Sequence, residues 1–184
     1  FLVKDDLDTD FGLKPERAAM FSEFIDALKR KGTRLMLVFT PSRGLMAPDK
    51  VSVPFDHQLA LTHYQQTLAE FRKLGAMVPP LDTLVGHMKE DFFFKRDIHW
   101  TPEGARAAAG VVAETLRKDP LFAQLPDKQF VTSRTGLAPI HGSINSAVAD
   151  LCHQSYPSQY ARSYVTVGQA SDDDLLADNT ATPV

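Results

Sequence analysis

Asp97 and His99 stand two residues apart in the stretch Phe92-Phe93-Phe94-Lys95-Arg96-Asp97-Ile98-His99-Trp100-Thr101-Pro102-Glu103. These two residue types are enough for assisted proton transfer. An imidazole works as a general base when a carboxylate on one ring nitrogen fixes its tautomer and stabilises the imidazolium formed when the other nitrogen takes a proton. Asp97 fits the part of orienter and His99 that of base. A plainer reading stands beside it, in which Asp97 caps a turn and His99 is a hydrogen-bonded packing histidine, because short Asp-x-His runs arise by chance. Both residues are also metal-ligand types, but no His-Glu-x-x-His or Cys-x-x-Cys surrounds them, so the spacing assigns no metal and no cofactor.

The flanking residues say how such a pair would be held. Three consecutive aromatics, Phe92 to Phe94, read as a short buried strand. Thr101-Pro102-Glu103 reads as a helix start, with Thr101 as N-cap, Pro102 at the first helical position where its missing N–H is not needed, and Glu103 as an anion facing the helix dipole. Asp97 and His99 therefore lie in a strand-to-helix loop, the kind of place where α/β folds carry function. The helix is expected from Pro102 to about Arg117, with Ala105, Ala108, Ala109, Val112 and Leu116 on its packed face.

Upstream, residues 1–7 read as a short strand, and Pro15 opens a helix bearing Met20, Phe21, Phe24, Ile25 and Leu28 that Gly32 closes. Arg34 to Thr40 is a continuous apolar run of the buried parallel kind, stopped by Pro41-Ser42-Arg43-Gly44. Residues 45–56 read as a surface loop, followed by a helix carrying Leu61, Tyr64, Leu68 and Phe71 and closed by Gly75. Met77-Val78 reads as a short strand, and Leu81 to Met88 as a short helix. Downstream, strands are expected near Phe130-Val131 and Tyr164 to Val167, with a short helix from Ile144 to Cys152. Asp172-Asp173-Asp174 reads as a solvated turn, lacking the ligand spacing of a calcium loop. The βα alternation makes the chain an α/β protein of one domain.

The run Arg96-Asp97-Ile98-His99-Trp100-Thr101-Pro102-Glu103-Gly104-Ala105 resembles the Asp-x-His-Trp-Thr-Pro-x-Gly-Ala block of the alginate O-acetyltransferases of the AlgX and AlgJ type, relatives of the SGNH hydrolases. Phe1 to Asp6 is similar to that family's opening strand, and Leu35 to Gly44 to its first βα unit. The resemblance implies an SGNH hydrolase-like parallel sheet flanked by helices. It implies that Asp97 and His99 are two members of a Ser-His-Asp triad, with Trp100 packed beside them and Thr101 fixing the helix start. The family's serine lies in a later Gly-x-Ser turn after a strand, and none is found here: Gly168-Gln169-Ala170-Ser171 has one residue too many, and Ser143 in His141-Gly142-Ser143 follows no hydrophobic strand. The sequence is accordingly expected to be an internal stretch, cut short at both ends, with the nucleophile after residue 184 and no activity by itself.

By the same resemblance, the acceptor is alginate mannuronate or a similar polyuronate in the periplasm. A membrane-bound acyltransferase would supply acetyl groups, and other polysaccharide export proteins would be partners. A carbohydrate acetylesterase with the same triad, and a non-catalytic polysaccharide-binding or assembly protein on the same scaffold, remain open alternatives.

Composition narrows the classes further. The chain has 184 residues, a formal net charge of −3 and 43% hydrophobic residues, ordinary for one globular domain and without the basic field that nucleic acid requires. A polyanionic substrate would need a local cationic patch. Lys14, Arg17, Arg43, Lys50, Lys95 and Arg96 qualify by type, although such residues are ordinarily solvated surface cations. No stretch reaches the roughly 18 apolar residues of a membrane span, and no signal peptide opens at Phe1. Cys152 is the single cysteine; in an exported protein it would be half of a disulfide whose partner lies outside this sequence. His57, His63, His87, His141 and His153 fall on separate elements and read as surface or packing histidines.

Overall fold

Apolar residues three and four apart dictate the main helix of the molecule, and the rest of the core collects around it. The computed structural model describes residues 4–126 and 128–168. Helix α1 spans Pro15–Arg30, α2 Arg43–Met46, α3 His57–Lys73, α4 Pro102–Arg117 and α5 Ser143–Cys152; strands β1 and β2 span Phe130–Ile140 and Gln159–Gly168. Asp56 caps α3, its Oδ1 accepting from the Leu59 amide at 2.9 Å, and α3 buries Ala60, Tyr64, Thr67, Leu68 and Phe71. Against that face pack Ile25 of α1, Leu45 of α2 and Val78, with Phe21, Leu35, Leu37 and Phe39 closing the cluster. Phe71 is the hub, its ring 5.1 Å from Phe21 edge-on and 4.7 Å from Phe39. Tyr64 reaches through the core to donate its hydroxyl to the Phe39 carbonyl at 2.6 Å.

The expected parallel pairing is present in direction but short in extent. The Leu37 amide donates to the Met77 carbonyl and the Met77 amide to the Leu35 carbonyl, both at 2.9 Å, around a single parallel bridge between Met36 and Met77. Prolines explain the brevity. Pro41 ends one segment and Pro79-Pro80 the other, and residues without an N–H cannot extend a ladder. Residues 81–88 likewise form only one 3-10 turn, Leu81–Leu84, before Gly86 at φ 74° redirects the chain. The N-terminal strand is not observed: Lys4–Leu7 is a 3-10 turn, and residues 1–3 lie outside the described residues. The loop at 45–56 holds the end of α2 and a second short turn, Pro48–Lys50.

Helix α4 has the expected limits but a face turned by one residue. Gly104 and Ala108 are buried, whereas Ala105 and Ala109 are exposed and Val112 and Leu116 only half-buried. The cause is a backbone contact: a Cβ on Gly104 would sit 2.3 Å from the Phe92 carbonyl oxygen. The helix start docks there main chain to main chain, and this contact sets its rotation. Ala108 then packs with Leu81 and Phe92 in a second small core.

Strands β1 and β2 pair antiparallel from Phe130↔Gly168 to Ile140↔Gln159, with an irregularity between Arg134 and Leu137. They are longer than the residues 130–131 and 164–167 expected from pattern, because the added residues alternate only weakly. Helix α5 connects them and ends at His153, which adopts a left-handed conformation at φ 53°. Cys152 is exposed. Ser171 and Asp172 to Asp174 lie outside the described residues. Among the described residues no helix is long and apolar enough to cross a membrane.

Candidate active site

The aromatic run and the helix start are two arms of one tight turn. Phe93 and Trp100 form an antiparallel bridge, the Phe94 amide donates to the His99 carbonyl at 3.2 Å, and the Thr101 amide to the Phe92 carbonyl at 2.8 Å. Lys95, Arg96, Asp97 and Ile98 therefore form the tip. Phe92 is buried, and the Trp100 ring packs 5.4 Å from it. Thr101 does what its type and place promise: its Oγ1 accepts from the Gly104 amide at 2.9 Å and donates to the Asp91 carbonyl at 2.6 Å. The tip is thereby anchored to the first turn of α4.

At that tip the expected pair is in contact. His99 Nδ1 lies 2.5 Å from Asp97 Oδ1, which also accepts the His99 amide at 2.8 Å. An ionised carboxylate only accepts, so in the neutral ring Nδ1 carries the proton and Nε2 bears the lone pair. The two side chains differ in surroundings: His99 is 75% exposed and Asp97 only 9%. An accessible base on a buried orienter suits proton transfer to a group arriving from outside.

The other oxygen of Asp97 has a partner the sequence did not announce. Asp97 Oδ2 accepts the Ser143 amide at 2.6 Å. Ser143 opens α5, whose own N-cap position, Gly142, has no side chain to offer. Asp97 thus caps α5 from 46 residues away, filling an orphan donor of the helix start. Burial alone would push the Asp97 carboxyl up, but the Ser143 and His99 amides, the His99 ring and the Ser143 hydroxyl together outweigh it and hold the group down at about 2. The close approach requires glycine, since a Cβ on Gly142 would fall 1.9 Å from the Arg96 carbonyl oxygen. A sign of this arrangement was available in the sequence: a helix beginning at Ser143 behind His141-Gly142 lacks a local cap. Ser143 meets the site through its amide and its hydroxyl, both of which bond Asp97.

Of the six cations named from sequence, four lie in or beside this loop and all four have partners. Arg43 donates to the Phe94 and Asp97 carbonyls. Arg96 donates to the Pro157 carbonyl at 2.7 Å and lies 4.7 Å over the Tyr156 ring. Lys95 and Lys50 share Asp91, at 3.7 and 2.6 Å. Lys14 and Arg17 are exposed at the start of α1. Beside the loop lies a cavity of about 480 Å³ whose lining includes Arg43, Met46, Lys50, Met88, Phe93 and Lys95. Of the other histidines, two are packing groups, His57 Nε2 meeting the Leu45 carbonyl at 3.1 Å and His63 Nδ1 the Thr9 carbonyl at 2.6 Å, whereas His87, His141 and His153 are exposed. Among the described residues no three His, Cys, Asp or Glu side chains come together as metal ligands.

This geometry coincides with a family assignment. Residues 1–184 match the family described as SGNH hydrolase-like domain, acetyltransferase AlgX. The chain is 41% identical over 185 residues to the alginate biosynthesis protein AlgX of Pseudomonas aeruginosa, covering 97% of this chain and 39% of that protein. It is 30% identical over 137 residues to a probable alginate O-acetylase AlgJ of Pseudomonas syringae pv. tomato, covering 71% of this chain and 34% of that one. The chain thus spans about two-fifths of the length of the AlgX relative. Among solved structures, Pseudomonas aeruginosa AlgX superposes with a TM-score of 0.82 at 41% identity, over 89% of this chain and 41% of that one. The O-acetyltransferase domain of Pseudomonas putida AlgJ shares the fold at a TM-score of 0.65 and 21% identity, over 91% and 65% of the two chains. With a profile match along its whole length and a relative this similar, the chain belongs to the AlgX family of SGNH hydrolase-like acetyltransferase domains.

Proposed function

We propose that this chain carries the histidine and aspartate of a Ser-His-Asp triad in a periplasmic O-acetyltransferase that modifies hydroxyls of alginate mannuronate. The observation that carries the reading is the Asp97 Oδ1 to His99 Nδ1 contact of 2.5 Å, with the imidazole exposed and the carboxylate buried. In this mechanism Nε2 of His99 takes the proton of a serine hydroxyl contributed by a part of the protein outside these residues. The serine oxygen attacks the acetyl carbonyl of the donor, and the leaving group departs with the proton returned by His99. The acetyl-serine is then attacked by a mannuronate hydroxyl, whose proton passes to Nε2 and on to the serine as the ester forms. Asp97 stays ionised throughout and stabilises the imidazolium. Trp100 and Thr101 hold the loop without touching the reacting atoms. A membrane-bound acyltransferase supplying acetyl groups, and other polysaccharide export proteins, complete the proposed setting. Support comes from the family, from the AlgJ relative named as a probable alginate O-acetylase, and from the pair's geometry.

The test is acetyl-ester turnover by the full-length protein beside His99→Ala. Loss of about a thousandfold or more in kcat supports the triad; a variant as active as wild type overturns it. Partition of the acetyl group between water and oligomannuronate then separates a transferase from an esterase.

A further inference from the structure

We propose that Arg43 is a positioning residue for acetyl transfer, holding the turn that bears Asp97 at the place where its carboxylate meets His99; this rests on the Ser-His-Asp reading above. Arg43 begins α2, downstream of the segment that pairs with Met77, and its guanidinium reaches the turn. Nη1 donates to the Phe94 carbonyl and Nη2 to the Asp97 carbonyl, both at 2.7 Å. One carbonyl stands just before the tip and the other within it, so one planar fork fixes its entry and the residue that meets His99 together.

The guanidinium is itself held. It lies 4.7 Å over the Phe93 ring, and its Nε faces Asp6 Oδ2 at 3.5 Å, leaving the side chain 15% exposed. The element beneath it is pressed onto the N-terminal turn, since a Cβ on Gly44 would fall 2.6 Å from the Asp6 carbonyl oxygen. These contacts distinguish Arg43 from a solvated surface cation. Only arginine suits the position: a lysine ammonium is a point charge without the flat fork that reaches two carbonyls while stacking on an aromatic ring.

The reason it matters is leverage. His99 is mostly exposed, and its ring is oriented by Asp97. A displaced turn therefore misdirects the imidazole, and misplacement by about 1 Å costs on the order of a hundredfold in rate.

The experiment uses the full-length protein and compares wild type, Arg43→Lys, Arg43→Ala, Asp97→Ala and the Arg43→Ala/Asp97→Ala double variant in acetyl-ester turnover. The downfield NMR resonance of the His99 Nδ1 proton is recorded alongside. In Arg43→Lys, kcat is expected to fall about 10- to 100-fold with KM within about threefold of wild type, and the resonance to weaken. The double variant is expected to be no slower than Asp97→Ala, because Arg43 acts through Asp97. A kcat for Arg43→Lys within about threefold of wild type, a loss lying in KM, or additive effects in the double variant each overturn the proposal. Should Arg43→Ala fail to fold, Arg43→Lys keeps the charge and stem and decides the question through kcat and the resonance. If His99→Ala retains activity, the triad reading itself falls; if His99→Ala is inactive while Arg43→Lys is not, only the role of Arg43 falls.

Discussion

Asp97 does three jobs with two oxygens: it orients His99, it accepts the His99 amide, and it caps α5 through Ser143. Its carboxyl titrates about 2 in the folded protein against an ordinary 3.8. A depressed carboxyl stabilises the fold above its unfolded value and loses that contribution as pH falls through the folded value. Stability should therefore decline from near pH 4 toward pH 2, and part of that decline should be missing in Asp97→Asn, which cannot titrate there. Thermal unfolding midpoints across this range measure it, and equal acid sensitivity in the two proteins would contradict the role. At neutral pH, Asp97→Asn should also cost about 1–2 kcal/mol, the usual size of a lost helix cap or charged hydrogen bond. Its kcat should fall by about a thousandfold or more, since an amide can turn its NH2 toward Nδ1 and favour the wrong tautomer.

Elements meet the site through main-chain contacts more than through side chains. Gly104 lets α4 rest on Phe92 and Gly142 lets α5 rest on Arg96, each leaving less room than a methyl group needs. Gly142→Ala should push α5 away from the loop and destabilise by about 1–3 kcal/mol, the typical cost of overpacking. Gly136→Ala on β1 meets nothing within 4 Å and should lie within about 0.5 kcal/mol of wild type, as surface changes do. Urea unfolding of the pair measures the difference, and equal midpoints would show that α5 tolerates the shift. Glu103 ties the two-stranded sheet to the same helix start. It accepts the Tyr164 hydroxyl and the Arg134 guanidinium, each at 2.5 Å, and these two partners hold its carboxyl below the ordinary range.

Across the whole molecule, the large core around α3 and the small one under α4 do different work. Leu68 is fully buried in the first. Leu68→Ala should cost about 2–5 kcal/mol through lost transfer energy and the cavity left behind. Because the cluster around Leu68 holds no residue of the loop that bears Asp97 and His99, kcat per folded molecule should stay near wild type while the melting temperature falls. Denaturant unfolding and active-site-normalised turnover check both halves. A large kcat loss would mean that the two cores are coupled more tightly than their separate packing suggests. Met46 packs against both cores, and beyond the end of α4 Arg34 Nη1 meets the buried Asp119 carboxylate at 2.5 Å.

Patterns that depend on near neighbours could be read directly: α1 and α3 from apolar spacing, the limits of α4 from Thr101-Pro102 and its basic end, and the Asp97-His99 pair from its flanks. Family membership was legible for the same reason, because the 96–105 block is contiguous. Distances across the fold were not. The length of the parallel pairing was cut by prolines on both segments, and the rotation of α4 was set by a glycine meeting Phe92, a contact no alanine pattern encodes. The aromatic run became one arm of a turn because its partner, Trp100, lies on the other side of Asp97. Ser143 reached the site first by its amide, and every residue but proline has one, so its type carried little signal. Arg43 stood in the sequence as one cation among several. Its fork on two carbonyls exists only once residues 51 and 54 positions away are folded against it.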